Sequence, residues 1–282
     1  MTLKALKSNE LKLNKSGRIW EIDFLRGLLI LLVVFDHFMF DMAVFVSKSS
    51  LSSDAGLALR HFAQAYLFNS RATGQNLLGH MRSYLHDFFV AMFCVISGIS
   101  CAFSKNNLAR GLKLAVAAIA LSLAVWGLNF IEAVNLGGSI NFNVLHVLAL
   151  SILLYALLDK IKTPPWVLIV LTAAMILVGL EFWHYPAGKL GKWFFWVVDC
   201  ADARVHSSLD YLPFLPYAGW FMSGALLSKI LYKERTSLFP SAKTGVLKPV
   251  IWCGRYSLTV YIVSQIVMLF VLTALTEWLH WL

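Results

Sequence analysis

The chain has 282 residues, of which 59% are hydrophobic and 14% are charged, and its mean hydropathy is +0.70. Soluble domains contain roughly 45–50% apolar residues, so this composition excludes a soluble globular protein and predicts an all-α, polytopic membrane protein. The formal net charge of +9 must then reside mainly in the segments outside the lipid.

Seven apolar windows are long enough to cross a bilayer, which takes about 17 to 25 helical residues. The first runs from Glu21 to Met42. We predict seven transmembrane helices, although six or eight also agree with the pattern. The other six windows contain no Asp, Glu, Lys or Arg, and they begin near Phe88, Leu114, Phe142, Pro164, Tyr211 and Tyr256.

Lys and Arg concentrate in the N-terminal tail and in alternate loops, which by the positive-inside rule predicts a cytoplasmic N-terminus. We expect residues 1–18 to form a basic cytoplasmic tail and residues 19–282 a single transmembrane domain. Basic charge on this face suits anionic lipid headgroups or a phosphorylated cytosolic ligand, and it does not indicate nucleic acid. The first span lacks a small-residue cleavage site, so we expect it to remain in a protein of the plasma (inner) membrane.

Two hydrophilic segments are expected on the outer side. Residues 47–86 include AGLALRHFAQAYLF, whose apolar spacing favours a helix lying in the membrane interface, with a connecting loop as the alternative. Residues 184–210 are rich in aromatic residues, but their apolar core is too short to cross. No CxxC spacing occurs, so we expect no disulfide framework and no metal site from Cys94, Cys101, Cys200 and Cys253.

The first span, EIDFLRGLLILLVVFDHFMFDM, carries five ionisable residues, each of which is costly inside a membrane. At 3.6 residues per turn, Arg26 and His37 share one helix face about 16 Å apart, with Asp23 one turn before Arg26 and Asp41 one turn after His37. Asp36 lies about 100° from this stripe. The stripe should therefore face other helices or a water-filled cavity.

These residue types indicate an acid–base site for an anionic ligand. Arg26 can bind an anion, with Asp23 as its partner in the resting state. Imidazole accepts protons well near neutral pH, so His37 is the candidate base. Asp41 would orient it, and Asp36 is a second candidate carboxylate. The alternative is a structural ion-pair network, but because the other windows lack charges, we expect a ligand to complete these charges.

Five blocks resemble motifs of membrane-bound acyltransferases, a group that includes the type-three acyltransferases. In the first, IDFLRG and DHFMFD place an Arg, ten further residues and a His on one span. The other blocks follow in family order: FFVAMFCVISGIS, FNVLHVLALS, LDYLPFLPYAGWFMSG and CGRYSLTVYIVSQ. Together they resemble the bacterial relatives of heparan-alpha-glucosaminide N-acetyltransferase over nearly the whole chain, from residue 21 to about 265.

This resemblance implies transfer of an acetyl or similar acyl group from cytosolic acyl-CoA to a glycan or glycolipid acceptor at the outer membrane face. It implies acetyl-CoA as the donor. The histidines on the outer side lack a metal-ligand spacing, so we expect no metal. His37 would be the catalytic histidine, as base or acyl carrier, and Arg26 the donor-side arginine. Candidate residues of the substrate cavity are His146, Tyr211, Ser264 and Gln265.

The chain departs from the family pattern at three positions. Ser264 stands where the family usually has His, which questions any second-histidine role there, although Ser264 and Gln265 can still hydrogen-bond. Tyr217 replaces a usual Trp, and Asn143 replaces a usual Gly. His146 has a second interpretation as a hydrogen-bonded core histidine, and Tyr211 as an interface anchor.

Two other functions remain as alternatives. A proton-coupled transporter would use Asp23, Arg26, His37 and Asp41 as a relay, and would be expected to show inverted repeats and a polar path through several spans. The chain shows no internal repeat and concentrates its charges on one span. A non-catalytic membrane scaffold gains support only from Ser264.

Overall fold

A computed structural model describes residues 19–44, 46, 53–68, 77–130, 138–182, 197, 210–240, 242 and 244–274. Within these residues the chain is helical and contains no β-strand, which confirms the predicted all-α class. The described helices are α1 (Trp20–Val44), α2 (Asp54–Phe68), α3 (Leu77–Ala102), α4 (Asn107–Leu128), α5 (Val144–Lys160), α6 (Pro165–Phe182), α7 (Tyr217–Leu231), α8 (Lys248–Arg255) and α9 (Ser257–Thr273).

Helices occur in all seven predicted windows, but they differ in length. Four are long and apolar enough to cross a membrane: α1, the Tyr84–Ala102 part of α3, α4 and α6. Helices α8 and α9 add a fifth span if the bent pair counts as one. Helix α5 has 17 residues and α7 has 15. The described helices therefore provide four or five candidate spans, and the count of seven stays a prediction.

Glycine allows two helix pairs to approach each other closely. A Cβ at Gly27 of α1 would collide with the carbonyl of Val250, and a Cβ at Gly254 of α8 would collide with the carbonyl of Asp23. The same kind of contact joins α3 to α7 at Gly98. A side chain would separate these backbones. Gly27 and Gly254 therefore allow α8 to pack against the start of α1, and Gly98 allows α3 to pack against α7.

The chain turns sharply at Tyr256, where α8 and α9 meet at an angle of 93°. Helix α9 then runs beside α1, and near its end Leu272 packs in one cluster with Met39 and Met42 of α1. The turn therefore places the first residues of α9 beside the beginning of α1. This arrangement builds one end of the cavity described below.

Helix α2 confirms the helix predicted within residues 47–86, and its Ala63 packs in the same cluster as Met42. Its placement in the membrane interface stays a prediction. The tail 1–18, Cys200 and nearly all of the predicted outer segment 184–210 lie outside the described residues. Cys94, Cys101 and Cys253 are free thiols, and the first two are buried.

Candidate active site

A cavity of about 710 Å³ lies between α1, α3, α4, α5 and α9. This volume falls within the roughly 300–1,000 Å³ of typical small-molecule sites. Apolar side chains form much of its wall, and polar groups lie mainly at its two ends. Four residues predicted from the sequence line it: Arg26, Asp36, His37 and Tyr211.

Three arginines line the cavity near the beginning of α1, and we call Arg26, Arg110 and Arg255 the arginine cluster. Arg26 donates to the hydroxyl of Ser100, and Arg110 donates to the carbonyl of the same residue at 3.3 Å. The carboxylate of Asp23 lies 3.8 Å from Arg26 and 3.3 Å from Arg255. The predicted ion pair of Arg26 with Asp23 is therefore present, and it extends to a second arginine.

Positive charge exceeds negative charge at this end of the cavity. Lys113 follows Arg110 by one turn of α4 and also lines the cavity, as do residues 257–259 in the first turn of α9. The first turn of a helix presents backbone N–H groups and a partial positive charge. Four cationic side chains and one helix N-terminus thus line this part of the cavity, and Asp23 pairs with two of the four, Arg26 and Arg255. This arrangement is suited to a multiply charged anion.

His37 lies farther along α1 and has a defined ring orientation. Its Nδ1 donates to the carbonyl of Val33, one turn earlier, at 2.8 Å. A carbonyl only accepts hydrogen bonds, so this contact assigns the proton to Nδ1 and leaves Nε2 as the acceptor. The ring of Tyr261 packs nearly perpendicular to the imidazole, at 5.7 Å between centroids and 85°.

Asp36 is held by side chains from two other helices. Arg82 of α3 donates to its two carboxylate oxygens at 2.9 and 2.6 Å, and the hydroxyl of Tyr66 in α2 donates at 3.1 Å. Burial, followed by the charge of Asp36, raises the pKa of Tyr66 to about 12, so this hydroxyl stays protonated at neutral pH. Asp36 therefore reaches the cavity as a firmly positioned, charge-compensated carboxylate.

The expectation that a ligand rather than another helix completes the charges of the first span is wrong for Asp36 and Asp23. Their partners are Arg82 and Arg255 on other helices. Both arginines precede the apolar windows that begin near Phe88 and Tyr256. The helical structure extends beyond the apolar windows, so cations at the helix ends reach back to the carboxylates of α1.

Asp210 is a cavity residue that the sequence analysis did not select. Its Oδ2 accepts a hydrogen bond from the hydroxyl of Tyr261 at 2.9 Å and another from the side-chain amide of Asn143 at 3.3 Å. Tyr261 also contacts His37. The signal for Asp210 was its position beside Tyr211 in the LDYLPFLPYAGWFMSG block, but only the fold brings it into the cavity that His37 also lines.

The other predicted residues lie outside the described lining of this cavity. Asp41 is buried one turn after His37, and no hydrogen bond joins these two described side chains. His146 takes part in the N-terminal cap of α5, since the N–H of Asn143 donates to its Nδ1 at 3.3 Å.

Ser264 donates to the carbonyl of Tyr261 at 2.9 Å, one turn earlier on α9. Nε2 of Gln265 is buried and has no hydrogen-bond partner among the described residues. The roles predicted for these two residues, for His146 and for Asp41 stay predictions.

In the part of the chain that the structure describes, no three His, Cys, Asp or Glu side chains approach closely enough to hold a metal ion. The expectation that the protein uses no metal stays a prediction.

The comparison with protein families identifies a match that covers most of the chain. The family model of heparan-alpha-glucosaminide N-acetyltransferase, catalytic, matches residues 18–72 and 55–266, which together include every residue of the cavity wall. No curated protein and no solved structure matches the chain significantly. The family match covers most of the sequence and agrees with a membrane protein of several apolar helices. The chain therefore belongs to the heparan-alpha-glucosaminide N-acetyltransferase catalytic family, which is a family of membrane acetyltransferases.

Proposed function

We propose that the protein transfers an acetyl or similar acyl group from cytosolic acyl-CoA to a glycan or glycolipid acceptor at the outer membrane face, with His37 as the base. The observation that carries this proposal is the shared cavity, which joins the arginine cluster to His37. Family membership supports the reaction class and supports acetyl-CoA as the donor.

The arginine cluster is suited to the phosphate groups of the donor. Arginine forms charge-assisted hydrogen bonds to phosphate, and a helix N-terminus favours anions. Arg26 and Arg110 both donate hydrogen bonds to Ser100, and Arg255 donates one to Asp23. These three cations are therefore positioned before a ligand binds. This preorganisation reduces the entropy cost of binding.

The separation along α1 supports a donor that spans the cavity. Arg26 and His37 are eleven residues apart, which is about 16 Å along a helix. A donor held by its phosphates at the arginine cluster can extend its flexible pantetheine arm toward His37. A long ligand with a charged end and a reactive end would match the two groups of residues that line the cavity.

His37 acts through Nε2 in this proposal. The carbonyl of Val33 accepts a hydrogen bond from Nδ1–H, so Nε2 carries the lone pair that removes a proton from the acceptor hydroxyl or amine. As the acceptor oxygen or nitrogen bonds to the acyl carbon, the carbon–sulfur bond breaks. The imidazolium then returns the proton to the leaving thiolate, so that free CoA and the acylated acceptor are formed and His37 is regenerated.

Two carboxylates lie close to the proposed imidazolium in sequence. Asp36 precedes His37 and lines the cavity, whereas Asp41 follows one turn later and is buried. Negative charge near a forming cation lowers its free energy. We assign this electrostatic role to Asp41, because Arg82 balances the charge of Asp36. The carbonyl of Val33, rather than Asp41, accepts the hydrogen bond that orients the ring.

The sidedness of the proposal rests on charge. The arginine cluster lies on the side where α1 begins, which the positive-inside rule assigns to the cytoplasm. Cytosolic donor would then enter at the arginine cluster, and acceptor would approach His37 from the outer side of the plasma (inner) membrane.

The proposal is tested by incubating purified protein with labelled acetyl-CoA and cell-envelope extract, followed by mass spectrometry of molecules that gain the acyl mass. His37→Ala should insert into the membrane but transfer no label. His61→Ala, an exposed histidine on α2, is the matched control and should transfer label at the wild-type rate. Full transfer by His37→Ala would contradict the proposal. Mild alkali then separates labile O-acyl products from stable N-acyl products.

The transporter alternative makes a different prediction. Vesicles that contain the protein but no CoA should show substrate-dependent pH changes only if the ionisable residues of α1 form a proton relay. We expect no such change, because Asp23 and Asp36 are engaged in ion pairs with Arg255 and Arg82.

A further inference from the structure

The exposed side of α8 is a surface that the mechanism above does not use. Lys248, Trp252 and Tyr256 follow one another at intervals of four residues, so they form one stripe along the helix. All three are exposed, Trp252 by 57% and Tyr256 by 52%. Ile251 and Gly254 are buried on the opposite side, where Gly254 meets the backbone of α1. Helix α8 thus has one side packed against protein and another side that presents a cation and two aromatic rings.

The orientation of α8 places this stripe at a membrane surface. Helix α9 belongs to the last apolar window, which we predict to cross the membrane, and α8 meets it at 93°. A helix nearly perpendicular to a span runs along the surface of the bilayer. Residues 229–256 contain six Lys or Arg residues and one acidic residue, so the positive-inside rule assigns this surface to the cytoplasm.

A further exposed aromatic residue, Phe239, is fixed near α8. Its carbonyl accepts a hydrogen bond from Nε1 of Trp20 at 3.3 Å, and the N–H of Leu238 donates to Glu21 at 2.6 Å. Trp20 and Gly27 are about two turns apart and share one side of α1, where the backbone of α8 contacts Gly27. The ring of Phe239 is nevertheless 60% exposed. Phe239 therefore extends the exposed surface of α8 along the beginning of α1.

The structure separates the basic charge of this side into two groups. Arg26, Arg110, Lys113 and Arg255 line the cavity, whereas Lys248 is exposed and lies outside the described lining. Tryptophan and tyrosine are enriched at membrane–water interfaces, because they combine an apolar ring with a polar tip. A lysine beside them adds attraction for anionic headgroups while its apolar stem stays among the lipid. Exposed aromatic rings next to a cation thus fit an anionic lipid better than a soluble anion.

We propose that the exposed side of α8, formed by Lys248 and Trp252 with Phe239 beside them, binds the headgroups of anionic lipids in the cytoplasmic leaflet. Lys248 pairs with the lipid phosphate, and the aromatic rings lie among the headgroups. This surface lies outside the cavity, and its role does not depend on which acyl group the protein transfers. Tyr256, at the end of the stripe, also lines the cavity, so the lipid surface and the cavity meet at this residue.

The test uses the full-length protein in bilayer nanodiscs that contain a small fraction of phosphatidylglycerol with a photoreactive headgroup. After illumination, mass spectrometry measures the label on peptides that cover residues 244–256. Unlabelled phosphatidylglycerol should reduce this label, whereas the same amount of phosphatidylcholine should not. Glycerol 3-phosphate and CoA, each added in solution, should also leave the label unchanged.

Variants then identify the contribution of the cation. Lys248→Gln should reduce the label on this segment by about fivefold, the factor expected for one lysine near an anionic surface. Lys248→Arg keeps the charge and should keep the label. Lys162→Gln, which removes an exposed cation after α5, is the matched control and should label as the wild type does. Trp252→Ala should reduce the label, because it removes the ring that lies among the headgroups.

Four outcomes would overturn the proposal. Equal competition by phosphatidylcholine would show that α8 contacts lipid without regard to charge. Competition by CoA would reassign the exposed side of α8 to the donor, and competition by glycerol 3-phosphate would reassign it to a soluble anion. Equal labelling of the wild type and Lys248→Gln would exclude the lysine. Replacement of an exposed lysine should leave the fold intact, and thermal unfolding of each variant in nanodiscs checks this.

Discussion

Nδ1 of His37 donates to the carbonyl oxygen of Val33 at 2.8 Å, one turn earlier on α1. The helix backbone itself therefore orients the imidazole and determines which nitrogen accepts a proton. A carboxylate usually has this role in catalytic histidine sites. In this protein Asp36 contacts Arg82 and Tyr66, and no described hydrogen bond joins Asp41 to the ring.

The first prediction concerns the nitrogen of His37 that acts as the base. His37→Asn keeps a side-chain N–H that can donate to Val33 but has no group in place of Nε2. We expect acyl transfer to fall by about 10²- to 10⁴-fold, the range for loss of a general base, with thermal stability close to that of the wild type. Initial rates and thermal unfolding in detergent measure the two effects. Wild-type activity in this variant would exclude Nε2 as the base.

The second prediction concerns donor binding at the arginine cluster. Arg26→Ala removes a cation that is fixed by Ser100 and Asp23. Loss of a charged hydrogen bond is worth about 1.5–3 kcal/mol, so the dissociation constant for CoA should rise by roughly 10- to 150-fold. Calorimetry with CoA measures this change. Lys229→Ala removes an exposed cation elsewhere and should leave the affinity unchanged; equal losses in both variants would indicate a nonspecific charge effect.

The third prediction concerns the close contact of α1 with α8. Gly27→Ala places a Cβ against the carbonyl of Val250, so the helices must separate. Overpacking of this kind costs about 1–3 kcal/mol and should lower the unfolding temperature. Because α8 carries Arg255, CoA affinity should fall as well. Gly127→Ala in α4, where no atom lies within 4 Å of the added Cβ, is the control and should be neutral or slightly stabilising. Equal stability of the two variants would contradict the packing argument.

The fourth prediction concerns the ion pair of Asp36 with Arg82. Arg82→Ala leaves a largely buried carboxylate without its main cation, and breaking a fully buried pair costs roughly 3–5 kcal/mol. The pair is partly exposed, so we expect a smaller loss in unfolding free energy. Asp36→Asn in the Arg82→Ala background should recover much of it. A double-mutant cycle by chemical denaturation measures the coupling, and additive effects would show that the pair contributes nothing to stability.

Local patterns along the chain predicted much of the fold. Apolar windows placed a helix in each of the seven regions, and helical spacing predicted α2. These features depend on neighbours within a few residues, so the sequence shows them directly. The number of spans could not be predicted as directly, because α5 is at the lower limit of the length that a bilayer crossing requires and α7 is shorter than that limit.

By itself, the sequence determined that Arg26 and His37 share a face of α1, because a helix has a regular period and both residues belong to the same element. Only the tertiary structure decided the partners of the charges. Asp36 pairs with a residue 46 positions away, Asp23 with one 232 positions away, and Asp210 bonds to a tyrosine 51 positions away. These contacts depend on how helices pack, and glycine contacts such as that of Gly27 with Val250 set the distance between them. Helical periodicity acts along one element, whereas a site assembled from several helices requires all of them to be in place.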